Sequence, residues 1–419
     1  MAEHRTLKRT LTLGPVVLYG VGTILGAGIY VLIGEVAGVA GVWAPLSFLI
    51  AAVLAGLTGL SFAELSNRYP VSAGEAVYVQ QAFGHRRLSL AVGLLVVLTG
   101  IVSSATLVNG FAGYFREFFQ ASDFVLIPLV CIMLGGLAAW GIAQSVAVAS
   151  VITVAEVGGL IAVIVVAMPD AVSGLGVAAS AELESGDALT GLALWTGVLS
   201  GAGIAFYAFI GFEDMVNVSE EVKDVRRVMP RAIVLTLAIS ALLYIVVAVV
   251  VVRAMPLGLL VGDEAPLATV FETATGRVAT EISVIALFAV LNGALIQVVM
   301  AARVLYGASS NKWLPPMFGR INARTQTPVV ATVVVTLAVL VFALWLPLGT
   351  LARLTSFIIL VIFTVVNIAL VRIKSRDARE LTLHPPEDEI TYRVPIWVPV
   401  AGAGASAAFG LINFAALVG

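Results

Sequence analysis

Long apolar runs of about twenty residues, parted by short polar segments, make up most of this chain. A helix of that length crosses the roughly 30 Å hydrocarbon core of a bilayer. The pattern predicts eleven spans, near residues 13–38, 42–65, 88–112, 124–142, 147–168, 191–213, 231–252, 280–306, 328–346, 350–372 and 394–417. Two of them are interrupted in the same way. Span 1 holds GVGTILGAGIYVLIG (20–34) and span 6 holds GAGIAFYAFIGFEDM (201–215). A broken helix in hydrocarbon exposes N–H and C=O groups, each at a cost of several kcal/mol. Such breaks survive where they line a cavity or hold a ligand. Glycine-interrupted spans at matching places in two halves of a chain point to a transporter's binding site.

Spans 1–5 and 6–10 form two sets of five, each opening with a broken helix. Five is odd, so the second set enters from the opposite side and the repeats have inverted topology. The expectation is one transmembrane transporter domain over 1–419. Its first repeat is 1–168, its second 191–372, and 394–417 is an extra helix. The shared letters GAGI at 26–29 and 201–204 are read as coincidence, with the span-6 break later, at Phe209–Phe212. Segment 73–83 reads as a short amphipathic helix on the inner side, and 265–277 as a short outer helix forming part of a lid.

Composition agrees. The chain is 60% hydrophobic and 11% charged, against about 25% charged in soluble domains. Continuous apolar runs exclude the alternating strands of a β-barrel, which leaves an all-α polytopic membrane protein. MAEHRTLKRTLTLGP lacks a cleavage site and reads as a cytoplasmic tail. With the N-terminus inside, every Lys and Arg but Arg116, Arg253, Arg277 and Arg353 falls on the inner side. That bias predicts a multi-pass protein of the cytoplasmic membrane with a cytoplasmic N-terminus. The lone Cys131 excludes an internal disulfide framework. His4, His85 and His384 all fall in loops or tails, which argues against His-based catalysis in the membrane. No enzyme activity, cofactor, structural metal or nucleic-acid partner is expected.

In span 1, Gly20, Gly22, Gly26 and Gly28 crowd into nine residues. Without Cβ atoms the chain can unwind there. The half-helix after the break offers free N–H groups and a positive dipole end to a carboxylate, and the half before it offers carbonyls to an ammonium. An α-amino acid carries both groups. Close helix packing explains the same glycines equally well. In span 6, Phe206, Tyr207 and Phe209 precede Gly211-Phe212-Glu213, as aromatic cover for a substrate or as plain packing. Glu156 lies in span 5 with no charge within ten residues. An intramembrane carboxyl costs at least about 2.5–3.5 kcal/mol and is functional by default. It suits a proton carrier; a neutral, hydrogen-bonded packing residue is the other reading. Span 8 has no Ser or Thr between Ser283 and Ser309, which weighs against a sodium site built on its hydroxyls.

Four blocks then carry a resemblance: GTILGAGIYVLIGEVAG (22–38), AELSNRYPVSAGEAVYVQQAFG (63–84), YAFIGFEDMVNVSEEVKDVRRVMPRAI (207–233) and AARVLYGASSNKWLPPMFGRINARTQTP (301–328). Their order and content resemble the amino acid–polyamine–organocation (APC) transporters across the ten-helix core. The resemblance implies a LeuT-like 5+5 inverted-repeat fold working by alternating access. It implies that the backbone at Gly26, Ala27 and Gly28 holds the substrate carboxylate, and that carbonyls at Ile24, Tyr207 and Ile210 hold its ammonium. Ala208, Phe209 and Gly211 complete that stretch, and Glu213 matches a glutamate implicated in gating or coupling. Glu156 stands where some proton-coupled relatives carry a lysine. Ala302 replaces a common serine, and eleven spans replace the usual twelve.

The expected function is a permease for amino acids, neutral or hydrophobic in the first place, probed by apolar residues around the breaks and coupled to protons at Glu156. Alternatives are a sodium-coupled or exchange carrier of cationic amino acids or polyamines, and a transport-inactive amino-acid sensor. Membrane lipid is the other expected contact, with the protein a monomer or homodimer.

Overall fold

The computed structural model describes residues 9–25, 28–71, 74–119, 121–140, 142–174, 191–260, 263, 265–380 and 391–418. Spans 2–5 are single helices at Ala44–Arg68, Arg86–Phe118, Asp123–Trp140 and Ile142–Ser173. Spans 7–11 are Val225–Ala254, Thr280–Ser310, Val329–Trp345, Leu348–Glu380 and Trp397–Val418. Among the described residues nine helices are long and apolar enough to cross a membrane, and spans 9 and 11 add shorter apolar ones. Most helices run several residues past their apolar cores, because polar ends continue the helix into the interface.

The expected break in span 6 is present, and the one expected in span 1 falls at residues 26–27, outside the described residues. Span 1 comprises the half-helices Leu13–Leu25 and Gly28–Ala40. Span 6 runs as an α-helix over Leu192–Tyr207, turns through residues 208–211, and continues as a 3₁₀ helix over Phe212–Glu221. The GAG at 201–203 lies inside unbroken helix. A Cβ on Gly201 would sit 2.7 Å from Ser47 Oγ and 3.1 Å from Ala40 Cβ. Those letters therefore serve close packing against spans 1 and 2, and Ser47 donates to the Val198 carbonyl at 2.9 Å across the same seam.

Large apolar side chains such as Phe124, Leu129, Ile132, Val151, Val165 and Leu242 remain exposed on the outer faces of spans 4, 5 and 7. In water such a surface would drive aggregation; in a bilayer it is the lipid contact. Polar contacts instead lock the interior. Asn367 of span 10 donates to Thr58 Oγ1 at 3.0 Å and accepts from Ser61 at 2.7 Å, tying it to span 2. At the end nearest the N-terminal arm Glu64 accepts from Arg68, from Lys374 Nζ at 2.9 Å and from the Val394 N–H at 2.7 Å, clasping spans 2, 10 and 11.

The N-terminal arm closes the same end. Leu11 N–H donates to the Glu221 carbonyl at 3.0 Å, and Lys223 N–H donates to the Leu11 carbonyl at 2.8 Å. The arm before span 1 is thus hydrogen-bonded to the segment after span 6. Arg303 of span 8 pairs with Glu221 at 2.5 Å, both buried. The predicted short helices are at Gly74–Phe83 and Pro266–Thr275.

Candidate functional site

The hydroxyl of Tyr244 in span 7 links span 1 to the span-6 turn. It lies 2.6 Å from the Ile24 carbonyl and 3.1 Å from the Ala208 carbonyl. Of the two carbonyls, that of Ala208 lies at a helix end, where the regular i→i−4 partner is lost. Beside them is a cavity of about 30 Å³ lined by Thr23, Ile24, Gly28, Ser103, Leu107, Tyr207, Ile210, Gly293 and Gln297. Four sequence-predicted site residues, Ile24, Gly28, Tyr207 and Ile210, therefore meet in one place. Room for about one or two waters is too little for an amino acid.

Gly28 opens the second half-helix of span 1 and is tightly covered. A Cβ there would lie 2.9 Å from Ala208 Cα and 3.1 Å from the Tyr244 hydroxyl. Gly26 and Ala27 lie outside the described residues. Tyr207 has Ser103 and Thr106 of span 3 as hydroxyl partners, and its carbonyl accepts from Ile210 N–H at 3.1 Å. Ala208 contributes its carbonyl. Phe209 points away from the cavity lining and packs edge-on against Tyr244, ring centroids 5.1 Å apart. Its packing supports the tyrosine that holds the carbonyls.

Gly211 makes the turn. Its φ of +129° is a region side chains avoid, and a Cβ would come within 2.6 Å of Thr23 Cγ2. Its N–H donates to Glu213 Oε2 at 2.9 Å. Glu213 thus folds back over the break and satisfies its backbone.

Glu156 does not line the cavity; it sits in a polar cluster between spans 1, 5 and 8, near enough to act electrostatically on Tyr244. Asn292 donates to Glu156 Oε1 at 3.2 Å and lies 3.4 Å from Thr153 Oγ1; Tyr30 donates to the Glu156 carbonyl at 2.9 Å. Gly22 lets span 1 touch this cluster, since a Cβ there would meet Thr153 Oγ1 at 2.0 Å and Asn292 Nδ2 at 2.9 Å. Gly20 packs likewise on Met215. The two outer glycines of the predicted stretch serve packing, while Gly28 faces the cavity.

Span 8, read from sequence as lacking hydroxyls, contributes amides instead: Asn292 to Glu156, and Gln297 to both the cavity and Asp214 Oδ2, at 2.6 Å. A search for amides as well as charges in apolar runs would have found both. Tyr244 gave less signal, being an aromatic residue among aliphatic ones. Among the described residues no cluster of His, Cys, Asp and Glu suits a metal ion.

A larger cavity of about 310 Å³ lies on the opposite side from the N-terminal arm, between span 5, span 8 and the helix Pro266–Thr275. Ala155 and Gly159 line it, and Arg277 and Glu281 are among its polar residues.

Known proteins agree with this architecture. A structure of a Na+-coupled sialic acid symporter in a substrate-bound outward-open state superposes with a TM-score of 0.61 at 13% identity, covering 95% of this chain and 89% of that one. The shared architecture is the LeuT fold. In sequence, the chain is 29% identical to "Cationic amino acid transporter 3, mitochondrial" of Arabidopsis thaliana, over 89% of this chain but 63% of that protein's length. It is 26% identical to the branched-chain amino acid permease BcaP of Lactococcus lactis, over 94% of this chain and 87% of the relative. These relatives are transporters, not enzymes. The family model for amino acid permeases matches residues 13–418, and the chain belongs to that family of multi-pass membrane transporters.

Proposed function

We propose that the chain is a proton-coupled permease that moves amino acids with neutral or hydrophobic side chains across the cytoplasmic membrane by alternating access. The observation that carries this is the Tyr244 hydroxyl bridging the Ile24 carbonyl of span 1 and the Ala208 carbonyl at the span-6 turn, beside a cavity bearing Ile24, Gly28, Tyr207 and Ile210. The N-terminal turn of the half-helix at Gly28 suits a carboxylate, and the carbonyls of Ile24 and Ala208 suit an ammonium. Gly26 and Ala27 belong to the same carboxylate stretch in this reading. The cavity lining carries no charged side chain, which favours a neutral substrate.

Glu156 takes the coupling role. It is fully buried, and its carboxyl meets the neutral amide of Asn292. A neutral partner leaves the carboxyl to balance its own charge by binding a proton. The two five-helix sets, 1–168 and 191–372, are the inverted repeats that rock against each other, and the basic loops put the N-terminus in the cytoplasm. Glu213 is the gating carboxyl, because its side chain accepts from the Gly211 N–H and so caps the span-6 turn.

A second reading, cationic amino acids, has its own support. Gln297 lines the cavity and bonds to Asp214, so a carboxylate stands directly behind the pocket wall. Relatives bearing names of both kinds are similar to this chain.

The test is uptake of labelled amino acids into proteoliposomes, with and without a pH gradient. The expected result is concentrative uptake of a neutral amino acid driven by inward proton flow. Uptake driven by sodium and indifferent to pH would overturn the coupling, and binding without any uptake would make the protein a sensor.

A further inference from the structure

Beneath the span-6 break, at the N-terminal end of the bundle, three carboxyls are buried together. Glu75 comes from the short helix Gly74–Phe83, and Glu213 and Asp214 from the 3₁₀ helix; each is 2% exposed or less. Glu213 acts electrostatically on Glu75, and both act on Asp214. The two helices are in direct contact, since a Cβ on Gly74 would sit 2.9 Å from both Val216 Cγ2 and the Tyr78 hydroxyl.

The neighbouring cations are committed elsewhere. Arg303 pairs with Glu221. Arg372 and Arg376 of span 10 bind the carbonyls of Ala82 and Gln81, at the far end of the short helix. Arg68 pairs with Glu64 and Asp377. What faces the carboxyls is neutral: Asn217 beside Glu75, Gln297 on Asp214, and the hydroxyls of Tyr78 and Tyr19. Among the described residues, the buried Tyr78 hydroxyl, Tyr19 hydroxyl and Gln297 Oε1 have no hydrogen-bond partner. Buried polar groups find partners, so these orphan atoms mark a site that takes something with hydrogen-bonding capacity. Three buried carboxyls without a cation cannot all ionise, and the donor set is not one for a metal.

We propose that Glu75, Glu213 and Asp214 form a shared proton-binding site, separate from Glu156, that holds protons while the N-terminal end is closed and releases them there when the 3₁₀ half of span 6 moves. The proton binds as O–H on a carboxylate oxygen and leaves to water as that oxygen regains its charge. Burial pushes the Glu75 carboxyl up from 4.5 to about 8, which places its response near the pH of a cell interior. The site rests on the transport reading for its role in the cycle, and on the cluster alone for its existence.

The test uses the full chain in proteoliposomes with the pH set separately on each side. Glu75→Gln is expected to move the midpoint of the response to pH on the N-terminal side downward by about one unit or more, because Glu213 and Asp214 lose a repelling neighbour. Glu75→Asp is expected to restore most of the response. Glu75→Gly provides a second neutral variant if the glutamine form folds poorly. A midpoint identical to the parent's in a folded neutral variant overturns the proposal. Amino acid counterflow in the same vesicles separates the two readings, because its absence from the parent chain would count against transport and not against the cluster. In that event infrared titration of the purified chain decides: loss of one protonated-carboxyl signal in Glu75→Gln supports the site, and an unchanged spectrum overturns it.

Discussion

The hydroxyl of Tyr244 touches the Ile24 carbonyl at 2.6 Å and the Ala208 carbonyl at 3.1 Å, so one side chain of span 7 joins span 1 to the turn of span 6. One hydroxyl proton shared by two carbonyls satisfies them only in part. A substrate ammonium, with three donors, would satisfy them better. In the proposed transport cycle Tyr244 fills the ammonium's place until an amino acid takes it. Tyr244→Phe keeps the ring against Phe48 and Phe209 but strands the carbonyls, at about 1–3 kcal/mol. We expect lower thermal stability in detergent and a substrate KM changed about tenfold or more. Unchanged uptake kinetics would show that the hydroxyl only fills space.

Gly211 has no tolerated replacement. Its φ of +129° strains any residue with a Cβ, at about 1–3 kcal/mol, and that Cβ would collide with Thr23. Gly211→Ala should therefore displace Thr23 from the cavity wall and abolish most uptake while the helices persist by circular dichroism. Full activity in this variant would mean the turn relaxes freely and the break is no rigid joint.

The spans and the span-6 break were legible because hydrophobic period and local residue chemistry act locally. Phe209–Phe212 could be picked over the GAG at 201–203 because aromatic-glycine-acid is a poor continuation of a membrane helix. The polar partners were less legible. Asn292, Gln297 and Tyr244 are uncharged and sit in apolar runs, where nothing local says whether they face lipid, core or cavity. Glu75 is hidden for a different reason: in the sequence it looks like a solvated residue of a loop helix. Only the fold shows that this helix is pressed against the 3₁₀ half of span 6 with the carboxyl inward.

Glu156 and Asn292 should act as a pair. The amide donates to Glu156 Oε1 at 3.2 Å from a helix that packs on span 5. Glu156→Gln is expected to leave amino acid counterflow intact and to reduce pH-driven accumulation to the equilibrium level. Asn292→Leu removes the donor and should shift the pH dependence of uptake without stopping it. Concentrative, pH-driven uptake in Glu156→Gln would remove Glu156 from the coupling step.

Glu64 holds the N-terminal end of the helix bundle through Arg68, Lys374 and the Val394 N–H. Removing one partner of a buried charge cluster costs about 3–5 kcal/mol. Glu64→Gln should lower the unfolding temperature sharply and free span 11, read as protease cleavage ahead of Trp397. Because this clasp lies away from the cavity, the substrate KM of the surviving folded protein should stay near the parent value.

Glu75 gives the pH dependence of stability a defined sign. Its carboxyl is raised from 4.5 to about 8 in the folded chain, first by burial and then by Glu213. The folded state therefore holds this proton where the unfolded state has lost it. Its contribution is fully present below about pH 4.5, declines as pH rises toward 8, and is flat above that. Glu75→Gln should flatten the fall in thermal stability between those limits and leave the protein more stable than the parent at the alkaline end. The measurement is unfolding temperature in detergent across that pH range for both proteins. Parallel curves would mean that Glu75 ionises freely in the folded chain, through water that reaches the seam between the short helix and the 3₁₀ half of span 6.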